Sequence, residues 1–163
     1  DSSVVIHSSI AALENEDVQV ILTTGHHSLP REFRSPPRNF RHEPYVPGLM
    51  MAQHSNLLIH HGGYGSCQTG LYTGTPAVII PTYSERESNA RRVKAVGAGE
   101  FIIPKTDSSG RKKYVEPDEL RVKVRQVLSA PTYTENAKRI GEKMQSIGGV
   151  SWTARLIEDF CQS

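Results

Sequence analysis

Two short apolar runs, each followed by a polar loop and a segment with helical spacing, dominate the middle of the chain. Leu57–Ile59 and Pro76–Ile80 have no polar face, as is typical of strands covered by helices on both sides. Helices are predicted at 67–73 after the first loop and at 87–96 after the second. Since right-handed crossovers join parallel strands, both loops should lie at the carboxyl edge of one sheet.

The remaining segments continue this alternation. Pro117 suits the first position of a helix, and Thr132 with Glu135 forms a capping-box pattern. Gly97 is predicted to end the helix at 87–96. The further predicted elements are strands at 18–23, 40–46 and 100–103, and helices from Ser2 or Ser3, at 48–53, from Pro117, from Thr132 and after Gly149. The order predicts an α/β fold, a Rossmann-like parallel sheet with helices on both faces, in a single domain over residues 1–163.

Two polar segments interrupt the pattern. Residues 25–39 are rich in proline and arginine, and we expect a solvated loop there, the alternative being contact with phosphate or an acceptor. The basic side chains concerned are His26, His27, Arg31, Arg34 and Arg38. Residues 107–113 are expected to be a polar turn that serves only as a linker. Trp152 is expected to lie in the core.

The loop after the first apolar run has the composition of an anion-binding turn. Glycines allow positive φ and a close approach of ligand to the main chain, and Ser66 is predicted to cap the following helix. The free N–H groups and the positive end of the helix dipole attract an anion. The alternative is a tight structural turn, because the loop matches neither the Walker A nor the GxGxxG pattern.

The loop after the second run adds a carboxylate beside that turn. Glu85 and Arg86 should lie next to the glycine loop at the shared sheet edge. A carboxylate accepts hydrogen bonds, so it suits hydroxyl groups. A phosphate-binding turn next to a hydroxyl-binding acid indicates a sugar nucleotide as the ligand.

The segment from Tyr45 to Gly99 resembles the donor-binding signature of family 1 glycosyltransferases, the UDP-glycosyltransferases with the GT-B fold, and most of all their bacterial and archaeal branch. The matching residues are Tyr45-Val46-Pro47-Gly48, His61-Gly62-Gly63-Tyr64-Gly65-Ser66, Gly74-Thr75-Pro76, Pro81, Glu85-Arg86, Asn89-Ala90 and Gly97-Ala98-Gly99. The resemblance implies that the chain is the carboxyl-terminal half of a GT-B fold.

The resemblance also implies site residues. Tyr45 would stack on the base, and the backbone of Val46 would bind its edge. Glu85 and Arg86 would bind the donor sugar. The pyrophosphate would be held by His61, Gly62, Gly63, Gly65 and Ser66. The departures from the family pattern are Gly48 for glutamine, Thr69 for a ribose-binding glutamate and Arg86 for glutamine; Arg86 suits either an acidic sugar such as a uronate or a solvated surface position.

The implied activity is transfer of a sugar from a UDP- or dTDP-linked donor to an acceptor hydroxyl, with inversion and without a metal or other cofactor. In the family the catalytic base belongs to the acceptor-binding half, so no catalytic residue is expected in this domain, which alone should be inactive. In the family, the acceptor-binding half, one strand and a glycine-serine loop precede the first helix, and none of these is recognised in this sequence. We therefore expect the chain to be either a cut piece of such a protein or a naturally separate subunit. The alternatives are one subunit of a two-chain transferase on a membrane-anchored partner and a non-catalytic sugar-nucleotide sensor.

Composition excludes other classes of function. A net charge of +2 without a basic block argues against nucleic acid, and no apolar run reaches the roughly 20 residues of a membrane span. Two cysteines predict a reducing, cytoplasmic location. Cys67 is expected to be structural, the alternative being a thiol with a lowered pKa at a helix N-terminus. Neither histidine pair, His26-His27 or His60-His61, is expected to bind metal, because adjacent residues of a strand point to opposite faces.

Overall fold

The computed structural model describes residues 3–25, 29 and 35–162. Its helices are α1 (Ser3–Leu13), α2 (Gly48–Gln53), α3 (Tyr64–Thr73), α4 (Ser84–Ala95), α5 (Pro117–Ser129), α6 (Pro131–Ser146) and α7 (Gly149–Gln162). Its strands are β1 (Val20–Thr23), β2 (Phe40–Glu43), β3 (Leu58–His60), β4 (Ala77–Ile79), β5 (Gly99–Phe101), β6 (Lys105–Thr106) and β7 (Lys113–Tyr114). His26, His27, Arg31 and Arg34, which were predicted to lie in a solvated loop or to contact phosphate or an acceptor, lie outside the described residues.

The five longer strands are parallel, as predicted, but they form two sheets instead of one. β1 pairs with β2 from Val20↔Phe40 to Thr23↔Glu43, and β3, β4 and β5 pair in that order. Among the described residues, β1 and β3 share no ladder of hydrogen bonds. β6 and β7 form a small antiparallel hairpin where a plain linker was predicted; their two-residue strands are exposed and carry no apolar pattern that could reveal them.

Two apolar clusters cover the opposite faces of the longer sheet, which confirms the prediction of helices on both faces. The first cluster contains Val78 and Ile80 of the β4 region with residues of α1 and α5. The second contains Ala77 and Ile79 with residues of α3, α4 and α6. The side chains therefore alternate along β4, and Ile79 and Ile80 have no exposed surface. This burial fixes the β4 register and with it the position of the loop that follows.

Three helix starts differ from the prediction. α3 begins at Tyr64 with Gly63 as its N-cap, so the prediction of Ser66 as the cap is wrong. α4 begins at Ser84, which moves Glu85 and Arg86 from the predicted loop into the first helical turn. α6 begins at Pro131 after Ala130, so the Thr132–Glu135 capping box is also wrong. In these helices the side chain of the cap residue makes no capping hydrogen bond to the first turn, so side-chain chemistry did not mark the boundary.

The two boundaries set by backbone restrictions are confirmed. Pro117 occupies the first turn of α5, where its missing N–H and fixed φ do no harm. Gly97 follows α4 with a φ of +71°, the left-handed conformation common just after a helix.

α7 is the element that departs most from expectation. It has no buried residue, and Trp152, predicted to lie in the core, is 44% exposed. Val150 and Phe160 are exposed to 86% and 83%. The apolar spacing is that of an amphipathic helix, but the apolar side chains of α7 stay largely exposed. Among the helices described, none is long and apolar enough to span a bilayer.

Candidate functional site

The turn between β3 and α3 presents free main-chain donors. The first hydrogen bond of α3 runs from the N–H of Cys67 to the carbonyl oxygen of Gly63, at 3.0 Å. The N–H groups of Tyr64, Gly65 and Ser66 precede that bond and so have no partner inside the helix. They coincide with the positive end of the helix dipole, which makes this turn suited to an anion.

Gly62 holds the turn in place through both of its peptide groups. Its N–H donates to Nδ1 of His60 at 3.0 Å, and its carbonyl oxygen accepts from Nδ2 of Asn89 at 3.0 Å. Its φ is +85°, and a Cβ there would lie 2.8 Å from the carbonyl oxygen of Arg86. Only glycine fits this position without strain, so the turn is locked between β3 and α4.

His60 is a neutral hydrogen-bond acceptor within this arrangement. Burial, followed by the neighbouring charge of His61, lowers its pKa to about 4. Because Nδ1 accepts from Gly62, the proton of the neutral ring belongs on Nε2. Nε2 is buried and has no hydrogen-bond partner in the described part of the chain. The sequence pattern singled out His61 for the site and missed this supporting role.

His61 lies over the turn itself. A Cβ on Gly63 would come within 2.6 Å of its Nε2. Burial, then the positive charge of Arg86, lowers the pKa of His61 below its ordinary value, and Glu85 opposes this shift. At neutral pH the ring is therefore uncharged and offers one N–H donor. The predicted residues His61, Glu85 and Arg86 are thus close enough to interact electrostatically.

Asn89 connects the turn to the carboxylate of the second loop. Its buried amide Nδ2 donates to Oε1 of Glu85 at 3.1 Å as well as to Gly62. A carboxylate has a second oxygen, so Glu85 can accept from further donors as well. Asn89 is among the residues that match the family signature, but its role as the link between the turn and the carboxylate of Glu85 became visible only in the structure.

Cys67 is not a reactive thiol. Burial raises its pKa to about 11, and the charge of Glu85 adds to the shift. The hypothesis of a lowered pKa at the helix N-terminus is therefore wrong, because desolvation of the thiolate outweighs the helix dipole. The structural interpretation of Cys67 is the one that the geometry favours.

The loop between β4 and α4 is held by residues from two elements. A guanidinium nitrogen of Arg86 donates to the hydroxyl of Thr82, and Nζ of Lys113 donates to the carbonyl oxygen of Thr82 at 2.6 Å. Both cations lie over the ring of Tyr83, at 4.8 Å and 5.7 Å from its centroid. Lys113 belongs to β7, 31 residues away from Thr82 in the chain, so no local pattern could have revealed this contact.

Tyr45 and Val46 lie between β2 and α2, and α2 packs against α3. Tyr45 is 61% exposed. Their base-binding role stays a prediction.

A polar cavity of about 280 Å³ lies at the amino-terminal end of β4, opposite the end from which the loop to α4 leaves. Its lining includes Thr73, Thr134 and Lys138, and none of the predicted site residues. Within the described ranges, no three His, Cys, Asp or Glu side chains are grouped so that they could hold a metal ion. Whether the site works without a metal stays a prediction.

Comparisons with known proteins match this architecture. The chain is 34% identical over 133 residues to an uncharacterized UDP-glucosyltransferase, YojK, of Bacillus subtilis (strain 168), covering 82% of this chain and 31% of that protein. It is 30% identical over 158 residues to 4'-demethylrebeccamycin synthase of Lentzea aerocolonigenes, covering 97% and 35%. The chain thus spans about a third of the length of these curated relatives.

A solved structure confirms the fold. The glycotransferase of kitacinnamycin superposes with a TM-score of 0.79 at 27% identity, covering 95% of this chain and 38% of that one. The family model for the carboxyl-terminal domain of erythromycin biosynthesis protein CIII-like proteins matches residues 7–149. The chain therefore belongs to this family of carboxyl-terminal domains, and its fold is the one that such domains have in GT-B glycosyltransferases.

Proposed function

We propose that the chain is the donor-binding domain of a glycosyltransferase and that it holds the diphosphate of a UDP- or dTDP-linked sugar at the first turn of α3. The observation that carries this proposal is the locked turn at Gly62, which presents three main-chain N–H groups beside His61. A rigid set of donors at a helix N-terminus suits a diphosphate because it needs no rearrangement on binding.

The same arrangement suits the departure of the diphosphate. In an inverting transfer, the acceptor oxygen attacks the anomeric carbon, the bond from that carbon to the diphosphate oxygen breaks, and a base takes the acceptor proton. Negative charge then grows on the leaving oxygen. The N–H groups of α3 and the neutral ring of His61 would stabilise this charge, while Glu85 would accept hydrogen bonds from sugar hydroxyls.

The base would come from an acceptor-binding half, as another domain or as a partner subunit. The chain covers about a third of its curated relatives, and α7 offers an apolar surface at Val150, Leu156, Ile157 and Phe160 that such a half could cover. We propose a cytoplasmic location, since both cysteines are free. We also propose that binding needs no metal, since amides and a helix dipole supply the positive potential.

Calorimetric titration with UDP, dTDP, GDP and inorganic pyrophosphate tests the donor site. Ser66→Pro removes one of the free N–H groups in the first turn of α3 without breaking a helical hydrogen bond. Glu119→Pro makes the same change at the equivalent position of α5 and is the matched control. We expect one nucleotide to bind selectively, Ser66→Pro to lose about tenfold or more in affinity and Glu119→Pro to bind normally. Failure of the unmodified chain to bind any of these nucleotides would contradict the proposal.

A chimera tests the transfer activity. We expect the first two thirds of the Bacillus subtilis relative, joined to this chain, to transfer the sugar, and the chain alone to transfer none. A chimera that binds donor but never transfers would favour a nucleotide-sugar sensor. Transfer by the isolated chain would show that the base lies in this domain.

A further inference from the structure

Thr75 carries a buried hydroxyl that joins α2 to the segment between α3 and β4. The residue is only 5% exposed, and its Oγ1 donates to the carbonyl oxygen of Ala52 at 2.7 Å. Ala52 is the last residue but one of α2 and is itself buried. The two residues are 23 positions apart in the chain, so this hydrogen bond connects distant segments at a buried place.

Thr75 is itself held in a defined position. Its N–H donates to the carbonyl oxygen of Gly70 in α3 at 2.8 Å, and its Oγ1 lies 2.9 Å from Oγ1 of Thr73. The next residue, Pro76, accepts from the N–H of Leu58 in β3 at 2.9 Å. The hydroxyl that reaches α2 is therefore fixed relative to both α3 and the longer sheet.

α2 has few other anchors. It is six residues long, and Ala52 is its buried residue, whereas Met50 is 61% exposed. Two more side chains bond to its carbonyl oxygens, but these are His54 and Ser55, which directly follow the helix. Among the described residues, Thr75 is thus the side chain that bonds to α2 from elsewhere in the chain. Because so short a helix is not stable alone, its position depends on packing against α3 and on this bond.

The predicted base contacts directly precede α2. Pro47 is the N-cap of the helix, and Tyr45 and Val46 come immediately before it. The carbonyl oxygen of Pro47 accepts from the N–H of Met51 at 3.0 Å, which joins this segment to the first turn. A displacement of α2 would therefore displace the residues predicted to bind the base.

We propose that Thr75 is a positioning residue for recognition of the base. Through the carbonyl oxygen of Ala52 it holds α2, and with it Tyr45 and Val46, at a fixed place relative to α3. This inference rests on the proposed donor function and on the predicted base contacts. A nucleoside diphosphate has a limited span between its base and its diphosphate, so the base adds affinity only where both contacts can form at once. Loss of the hydroxyl should weaken the base contact and spare the diphosphate contact.

Calorimetry with UDP and inorganic pyrophosphate separates the two contacts, because pyrophosphate has no base. Thr75→Val keeps a β-branched side chain and removes the hydroxyl. We expect this variant to bind UDP about tenfold more weakly and to bind pyrophosphate as the unmodified chain does. Thr75→Ser keeps the donor and should keep the UDP affinity. Thr73→Val is the matched control, because the hydroxyl of Thr73 donates within α3, to the carbonyl oxygen of Thr69 at 2.9 Å.

A double-mutant cycle asks whether Thr75 acts through the base segment. Tyr45→Ala removes the predicted stacking contact, and we expect Thr75→Val to cause a much smaller loss of UDP affinity in that background. An equal loss with and without Tyr45 would overturn the inference. Equal losses in Thr73→Val and Thr75→Val would also overturn it, and so would an unchanged UDP affinity in Thr75→Val.

The affinities for pyrophosphate distinguish the remaining outcomes. If Thr75→Val loses pyrophosphate and UDP equally, or binds neither, the hydroxyl supports the whole domain and the inference is wrong. If the unmodified chain binds UDP no more tightly than pyrophosphate, the base contact is missing and this inference alone fails. If the unmodified chain binds neither ligand, the result counts against the proposed donor function itself.

Discussion

Asn89 donates its side-chain amide to the carbonyl oxygen of Gly62 at 3.0 Å, and this bond joins the first half of α4 to the turn before α3. The two residues are 27 positions apart in the chain. Since the same amide reaches Glu85, one buried side chain sets the distance between the proposed diphosphate and sugar contacts.

Removing this amide should weaken both the fold and the site. Asn89→Ala leaves the carbonyl oxygen of Gly62 without its partner, and we expect a loss of about 1–3 kcal/mol in the free energy of unfolding. UDP affinity should fall as well, because the turn loses its tether to α4. Urea unfolding and calorimetry measure the two effects. Ser88→Ala, an exposed neighbour on α4, is the control, and an equal effect of both variants would contradict the link.

The conformation of Gly62 gives a second prediction. Gly62→Ala forces a side chain into the left-handed region at a φ of +85°, with its Cβ 2.8 Å from a backbone oxygen. We expect destabilisation by more than about 1 kcal/mol. Gly65→Ala is the matched control, because a Cβ at Gly65 meets nothing within 4 Å. Thermal and urea unfolding compare the two, and similar stabilities would show that the turn relaxes freely.

The elements that could be predicted are those specified by local pattern. The apolar runs at β3 and β4, the proline at the start of α5 and the glycine after α4 each act through neighbouring residues, and the structure has them all. The positions of Ser66 and Thr132 inside their helices show the limit, because Gly63 and Ala130 precede α3 and α6 without any side-chain cap.

The features that could not be predicted depend on contacts between distant segments. Lys113 reaches Thr82 across 31 positions, and Asn89 reaches Gly62 across 27. The protonation of His60 follows from its burial, which no spacing reveals. Trp152 has the side chain of a core residue but is 44% exposed, because hydrophobicity alone does not say which surface covers a helix.

The two cysteines should differ in reactivity. Burial raises the pKa of Cys67 to about 11, so its thiolate is scarce at pH 8, whereas Cys161 is exposed. We expect iodoacetamide at pH 8 to modify Cys161 alone in the folded chain and both residues in urea. Mass spectrometry of peptides reads the sites. Rapid labelling of Cys67 in the folded Cys161→Ser variant would contradict its burial.

Glu100 should contribute stability that acid removes. Burial raises the pKa of Glu100, but hydrogen bonds from Lys123, Lys94 and Tyr133 outweigh it and hold the pKa below its ordinary 4.5. The bonds measure 2.8, 2.9 and 3.1 Å. A lowered pKa in the folded state means that the unfolded chain binds the proton more readily, so the contribution is complete above pH 4.5 and is lost as the pH falls through the folded-state pKa.

Glu100→Gln should therefore be less stable than the unmodified chain at pH 7, by about 1–3 kcal/mol, and the difference should shrink below pH 4.5. Urea unfolding between pH 7 and pH 3 measures it. Glu142→Gln, at an exposed position of α6, is the control. A difference that stayed constant over this range would contradict the role of the carboxylate charge.

His60 should make the stability of the fold depend on pH in a range above that of Glu100. Its pKa falls from an ordinary 6.5 to about 4 in the folded chain, so the unfolded chain binds the proton first and stability declines as the pH falls from 6.5 toward 4. The shift corresponds to roughly 3 kcal/mol. His60→Asn keeps an acceptor near the N–H of Gly62 but carries no titrating group, so its stability should change less over this interval. His54→Asn, at the exposed position that follows α2, is the control. Parallel declines in all three proteins would place the acid sensitivity elsewhere, whereas a flattened profile in His60→Asn alone identifies the buried imidazole as its source.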